Sequence, residues 1–234
     1  MQITSTELAQ LAAAGTPRFD MYTGIHKAMR AVMADTLLAL GRADPTDEQE
    51  LSDVAQRVLQ LLGLCESHLT HENLFVHRAI EARAPGASDA IAHEHAEHRK
   101  EIAGLAAQLA ALQAAPPAGR HGAALSLYRA LALFVAENLQ HMHQEETAHN
   151  AVLWARYTDA ELVAIHDALV ASIPPDEMMG IARWLVPSMN PLERFHLVAD
   201  MRAKAPAPAF EAMLAVVRPH LAPREWEKLE AALA

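Results

Sequence analysis

With 234 residues, 52% of them hydrophobic but only 5% aromatic, the chain can build a sizeable core and must build it from aliphatic side chains. Nine glycines, abundant alanine and leucine, and few runs of Val, Ile and Thr favour helix throughout. A net charge of −10 with no basic stripe excludes the electrostatic footprint of a nucleic-acid binder, and the single cysteine, Cys65, excludes an intramolecular disulfide.

The N-terminal Met1-Gln-Ile-Thr-Ser-Thr-Glu7 lacks the basic and apolar regions of a signal peptide. No uncharged apolar stretch is long enough to span a bilayer, so a soluble, cytoplasmic protein with no membrane partner is expected. Breakers then divide the first two-thirds of the chain into four helical segments. The first runs from about Phe19 to Leu40 and stops at Gly41-Arg-Ala-Asp-Pro45. The second opens near Thr46-Asp-Glu-Gln49, read as an N-cap with Gln three positions on, and ends at Ala84-Pro85-Gly86. The third spans Ser88 to Ala114, closed by Pro116-Pro117-Ala-Gly119, and the fourth runs from Gly122 to Tyr157. Beyond it, Thr158-Asp-Ala-Glu161 is a capping box, Pro174-Pro175 starts another helix, and Asn190-Pro191-Leu-Glu193 supplies an N-cap with proline in the first turn. Pro208 and Pro223 open two more. An all-α fold is expected: an up-down-up-down four-helix bundle over 19–157, then a C-terminal array of short helices over 158–234.

Steps of three and four trace an inward stripe along each bundle helix. The first carries Tyr22, His26, Met29 and Met33. The second carries Leu61, Cys65, His68, Glu72, Phe75 and Ala79. The third carries Ile91, His95, His98, Ile102 and Leu105, and the fourth Leu131, Phe134, Asn138, His141, Glu145, Ala148 and Val152. Each apolar stripe is interrupted at one level by His or Glu. Residues four apart share a helix face, so His68 with Glu72 and His141 with Glu145 each present an imidazole and a carboxylate together. A buried carboxylate or imidazole without a partner costs several kcal/mol. A whole layer of them, His26, His68, Glu72, His95, His98, His141 and Glu145, calls for a metal cluster. Imidazole with a few carboxylates suits iron, zinc or manganese, and seven ligands suit two bridged ions better than one.

These residues resemble the hemerythrin family, whose HHE cation-binding domain is a four-helix bundle. Its pattern is one His on the first helix, H-x-x-x-E on the second, one or two His on the third, and His followed by a carboxylate on the fourth. His26 in Gly24-Ile-His-Lys27, His68 with Glu72 ahead of Leu74-Phe75, Glu94-His95, and His141 with Glu145 match it in order. The resemblance implies a non-haem di-iron centre, with zinc or manganese as substitutes. Oxygen-carrying members place H-x-x-x-H on the third helix, whereas here Arg99 follows His98, so His98 is a ligand, an orienting group or a pocket residue. Those members also put the last carboxylate five residues after the final His, which selects Glu146. Bacterial members linked to iron-centre repair and iron-sensing eukaryotic members use four, which selects Glu145, and its angle repeats that of Glu72.

His71, His93 and His143 lie off the stripe and are read as exposed or as orienting ligands through a ring N–H. His77 and His149 flank it, and Cys65 and Tyr22 are read as core. The resemblance implies a protein binding a small diatomic gas, dioxygen or nitric oxide, for storage, delivery or sensing. The alternatives are a stress-response enzyme or iron donor that repairs iron centres or processes nitric oxide or peroxide, and a metal module with no exogenous ligand. The C-terminal helices are the candidate surface for a protein partner or a second copy.

Overall fold

A computed structural model describes residues 18–234, and no strand occurs among them. The reading of Met1–Glu7 lies outside the described residues. None of the described helices is long and apolar enough to cross a membrane. Backbone contacts divide the chain into two compact units. One holds Thr36–Val170 and the described residues up to Thr23; the other holds Gly24–Asp35 and Ala171–Ala234.

Helix α1 (Thr23–Arg42) passes through both units. In the first unit, α2 (Glu48–His71) continues without a break through a π turn (Glu72–His77) into α3 (Arg78–Arg83). Its N-terminus is fixed by Asp47 rather than Thr46: the Asp47 carboxylate accepts from the backbone N–H groups of Gln49 and Glu50, donors that the helix itself cannot satisfy. Helix α4 (Asp89–Ala114) follows the left-handed turn at Gly86, whose φ of 82° suits a residue without Cβ. Helix α5 (Pro117–Gln144) starts five residues earlier than the expected Gly122. The second proline of the pair sits at the first helical position, where its fixed φ and missing N–H do no harm. This helix also runs into a π turn (Glu145–His149) and on into α6 (Asn150–Arg156).

Helix α2 packs against α4, α4 against α5, and α3 against α6. Between them lies an aliphatic core that includes Leu61, Leu105, Leu109, Leu112, Leu127 and Leu131, each 3% exposed or less. Burying one such side chain is worth about 1.5–3 kcal/mol, so this core supplies most of the driving force for the packing. A second cluster of Tyr22, Val76, Ile80, Leu153 and Leu162 lies on the far side of the polar layer. Helix α7 (Asp159–Ser172) begins with the expected capping box, Thr158 and Glu161 bonding reciprocally. Its start is tied down by Arg18, which donates to Asp159 at 2.6 Å and to the Tyr157 carbonyl at 2.7 Å, and by Arg83, which donates to Glu161 at 2.5 Å.

The second unit contains α8 (Pro175–Ser188), α9 (Pro191–Lys204), α10 (Ala207–Val217) and α11 (Pro223–Leu233). Its core is Ala182, Val186, Val198, Met213, Val217, Leu221 and Leu229. Arg194, 2% exposed, donates to the carbonyls of Val186, Pro187 and Met189 at the C-terminal end of α8, where helical donors run out. Asn190 is the expected N-cap of α9 and forms a capping box with Glu193, and Lys27 from α1 donates to both oxygens of Glu193 at 2.6 Å.

Candidate metal centre

The polar layer of the first unit is built where α2 and α5 turn from α into π geometry. His68 and Glu72 lie one turn apart, with His68 Nε2 3.3 Å from Glu72 Oε1, and His141 Nε2 lies 3.3 Å from Glu145 Oε1. From α4, His95 brings its Nε2 to 3.6 Å from Glu72 Oε2, 3.5 Å from Glu145 Oε1 and 3.0 Å from His141 Nε2. Glu72, His95, His141 and Glu145 thus form one group whose candidate ligand atoms all lie within 4.8 Å of one another, and every member is buried. Glu145 is fully buried while Glu146, one residue on, is only half-buried and joins no such group among the described residues.

Two of these imidazoles are aimed from behind. His95 Nδ1 hydrogen-bonds Asn73 Oδ1 at 3.0 Å, and His141 Nδ1 hydrogen-bonds Glu94 Oε2 at 2.8 Å. Gln144 holds the other oxygen of Glu94 at 3.1 Å. With Nδ1 held by an oxygen, Nε2 is the nitrogen turned toward the layer, the arrangement by which a metal-binding histidine is fixed in angle. His71, His93 and His143 do not take this role: His71 Nδ1 turns back to the Ser67 carbonyl at 2.9 Å and His93 is exposed. The orienting groups are instead Asn73 and Glu94, and the signal for both is adjacency to a ligand-type residue, Glu72 and His95.

His26 is fully buried and sits on the part of α1 that groups with the second unit. His98 is buried and joins no ligand group among the described residues. Its ring packs edge-on against His141 at 4.8 Å and against Phe134 at 6.1 Å. Two histidines outside the expected set are also in the layer. His77 and His149, 5% and 2% exposed, form a group with Glu145. The π turns bring them there, and Phe75 and Ala148, expected on the stripe, are half-buried and exposed instead.

Electrostatics sort these groups. Burial presses His141 toward its neutral form, but the Glu145, Glu94 and Glu72 carboxylates outweigh it and raise it to about 9. Burial and the neighbouring imidazoles His95 and His149 lower His77 to about 4, and burial with His141 and His95 lowers His98 to about 4. His149 is lowered as well, chiefly by burial. Tyr22 is raised well above its ordinary value by burial and by the Glu145, Glu72 and Asp20 carboxylates, so it stays a phenol. Burial pushes the Cys65 thiol up to about 12, which leaves it without thiolate character. The donors available are therefore imidazole nitrogens and carboxylate oxygens, a set that fits a first-row transition metal.

A helical bundle with a buried His and Glu layer of this kind defines a class of metal-binding proteins. The family model for the hemerythrin HHE cation binding domain matches residues 19–170, well over half the chain, and the chain belongs to that family. Neither the comparison with curated proteins nor that with solved structures gives a match.

Proposed function

We propose that the chain is a non-haem di-iron protein that binds dioxygen or nitric oxide for storage, delivery or sensing. The observation that carries this reading is the pair of buried carboxylates, Glu72 and Glu145, which meet His95 and His141 in one group while each also follows a histidine by one turn on its own helix. Two carboxylates so placed suit a bridging role between two cations. The proposed ligands are His26, His68, His95 and His141 together with the two carboxylates. Iron in such a centre supplies an open coordination position for a diatomic ligand, and zinc or manganese could occupy the same donors. The protein's own part is to position and to shield. Asn73 and Glu94 hold the imidazoles, and Leu61 and Phe134, 0% and 2% exposed, exclude water. His98 closes the layer beside His141.

The enzymatic reading, iron-centre repair or turnover of nitric oxide or peroxide, draws on one observation: the buried carboxylate on α5 and its π turn is Glu145, four residues after His141. The two readings separate in one experiment. Iron-loaded, reduced protein is mixed with air, and the visible spectrum is recorded before and after oxygen is removed. A charge-transfer band that vanishes with the oxygen is the expected result. No oxygen adduct, together with turnover of nitric oxide or peroxide, refutes the binding protein and establishes the enzyme.

A further inference from the structure

We propose that His77, Glu145 and His149 hold a metal ion of their own, a divalent first-row transition ion bound by two imidazoles and one carboxylate. Their candidate ligand atoms lie within 4.8 Å of one another, and all three side chains are buried. His77 Nε2 and His149 Nε2 are buried and have no hydrogen-bond partner. A buried polar atom left unmatched costs about 1–3 kcal/mol, so two such nitrogens on side chains grouped with one carboxylate call for a shared partner.

The orientation of His149 supports the same conclusion independently. Its Nδ1 lies 3.0 Å from the Tyr22 hydroxyl, just as His95 Nδ1 lies 3.0 Å from Asn73 Oδ1 and His141 Nδ1 lies 2.8 Å from Glu94 Oε2. In all three, one ring nitrogen is held by an oxygen and the other is turned into the layer, the pattern of a metal-ligating imidazole. His77 is clamped by packing: it stacks on His95 at 4.8 Å with planes 16° apart and meets His149 edge-on at 5.2 Å.

The backbone shows how the triad is assembled. Each histidine closes a π turn that begins at a glutamate, Glu72–His77 on one helix and Glu145–His149 on the other. Single π turns inside α-helices concentrate at functional sites, where they redirect side chains that a regular helix would aim elsewhere. Two imidazoles and a carboxylate with further positions open is a donor set that suits ferrous iron and its neighbours. With three donors and a carboxylate shared with the neighbouring group, this ion is held less tightly than the bridged pair. The inference rests on the proposed di-metal reading only through Glu145; His77 and His149 belong to neither of the other groups that contain it.

The test is a titration of the metal-free, full-length protein with Co²⁺, counting bound metal after equilibrium dialysis and following the visible bands of imidazole-bound cobalt. The wild-type chain should take up two ions tightly and a third more weakly, and the H77A/H149A double variant should take up two. Tyr22→Phe should keep all three but raise the third dissociation constant about 10–100-fold, the usual effect of removing an orienting partner. Equal cobalt counts in wild type and double variant overturn the proposal and leave the pair standing. Two ions in wild type and one in the variant also overturn it, because the imidazoles then serve the pair. No cobalt bound by wild type overturns both readings. If circular dichroism shows the double variant unfolded, Tyr22→Phe decides, and an unchanged third constant overturns the triad.

Discussion

Stripping the proposed pair of ions from the centre should lower the melting temperature by about 11–22 °C. Glu72 and Glu145 are 3% and 0% exposed, and their carboxylates lie against imidazoles, of which His141 is raised to about 9. A ligand present at a hundred times its dissociation constant stabilises by about 2.7 kcal/mol per site, so two sites give about 5.4 kcal/mol. In a chain of this size each kcal/mol moves the melting temperature by about 2–4 °C. The assay is far-UV circular dichroism on iron-loaded and chelator-dialysed protein, repeated over a range of free metal. Each tenfold rise in free metal above saturation should add about 1.4 kcal/mol per site. Glu145→Ala should abolish most of the shift, since Glu145 stands in every ligand group of the layer. A melting temperature indifferent to the chelator, or a full shift in Glu145→Ala, would refute the reasoning.

Three further outcomes follow from the packing and electrostatics. Glu94→Ala removes the oxygen that aims His141 and should weaken metal binding about 10–100-fold with the helical content unchanged, as read by competition with a chromophoric chelator. Leu131→Ala should cost about 2–5 kcal/mol in denaturant unfolding because Leu131 is 0% exposed, whereas Leu133→Ala, at a residue 61% exposed, should stay within about 0.5 kcal/mol. Glu101, on α4, is raised from 4.5 to about 7 by burial and by the Glu137 carboxyl on α5. Its protonated form is the one that suits the fold, so its contribution is complete below about pH 4.5 and is lost as pH rises through about 7. Glu101→Gln should flatten that decline in denaturant midpoints measured across this interval, and an unchanged slope would remove Glu101 as its source.

Much of this was legible in the chain because caps, prolines and four-residue spacing are local signals. Thr158 with Glu161, and Asn190, cap the helices they were expected to cap, and His68 with Glu72 and His141 with Glu145 share buried faces. Pro117 misled because a proline pair reads as a break, although the second proline is an acceptable first helical residue. His77 and His149 escaped the stripe because a strict step of three or four assumes an unbroken α-helix. The histidine one turn beyond each H-x-x-x-E was the available clue. The grouping of Gly24–Asp35 with the C-terminal helices was not legible either, since no single-helix periodicity reports which distant segment covers a second face.

The π turns carry a further meaning in the geometry of rotation. A π turn amounts to one extra residue threaded into a helix that otherwise advances about 100° per residue, so side chains C-terminal to it face about that angle away from where an unbroken α-helix of the same sequence would aim them. Before the turns, α2 and α5 direct Leu61 and Leu131 into one aliphatic core. After them, the same two continuous rods direct Val76, Ile80 and Leu153 into a different core, the one with Tyr22 and Leu162. The layer of histidines and glutamates sits where one rod hands over from the first core to the second. A one-residue deletion at the exposed Leu74 would therefore remove the extra residue and let the turn relax to α-helix, so Val76 and Ile80 would keep facing Tyr22 and only the turn itself would be redrawn.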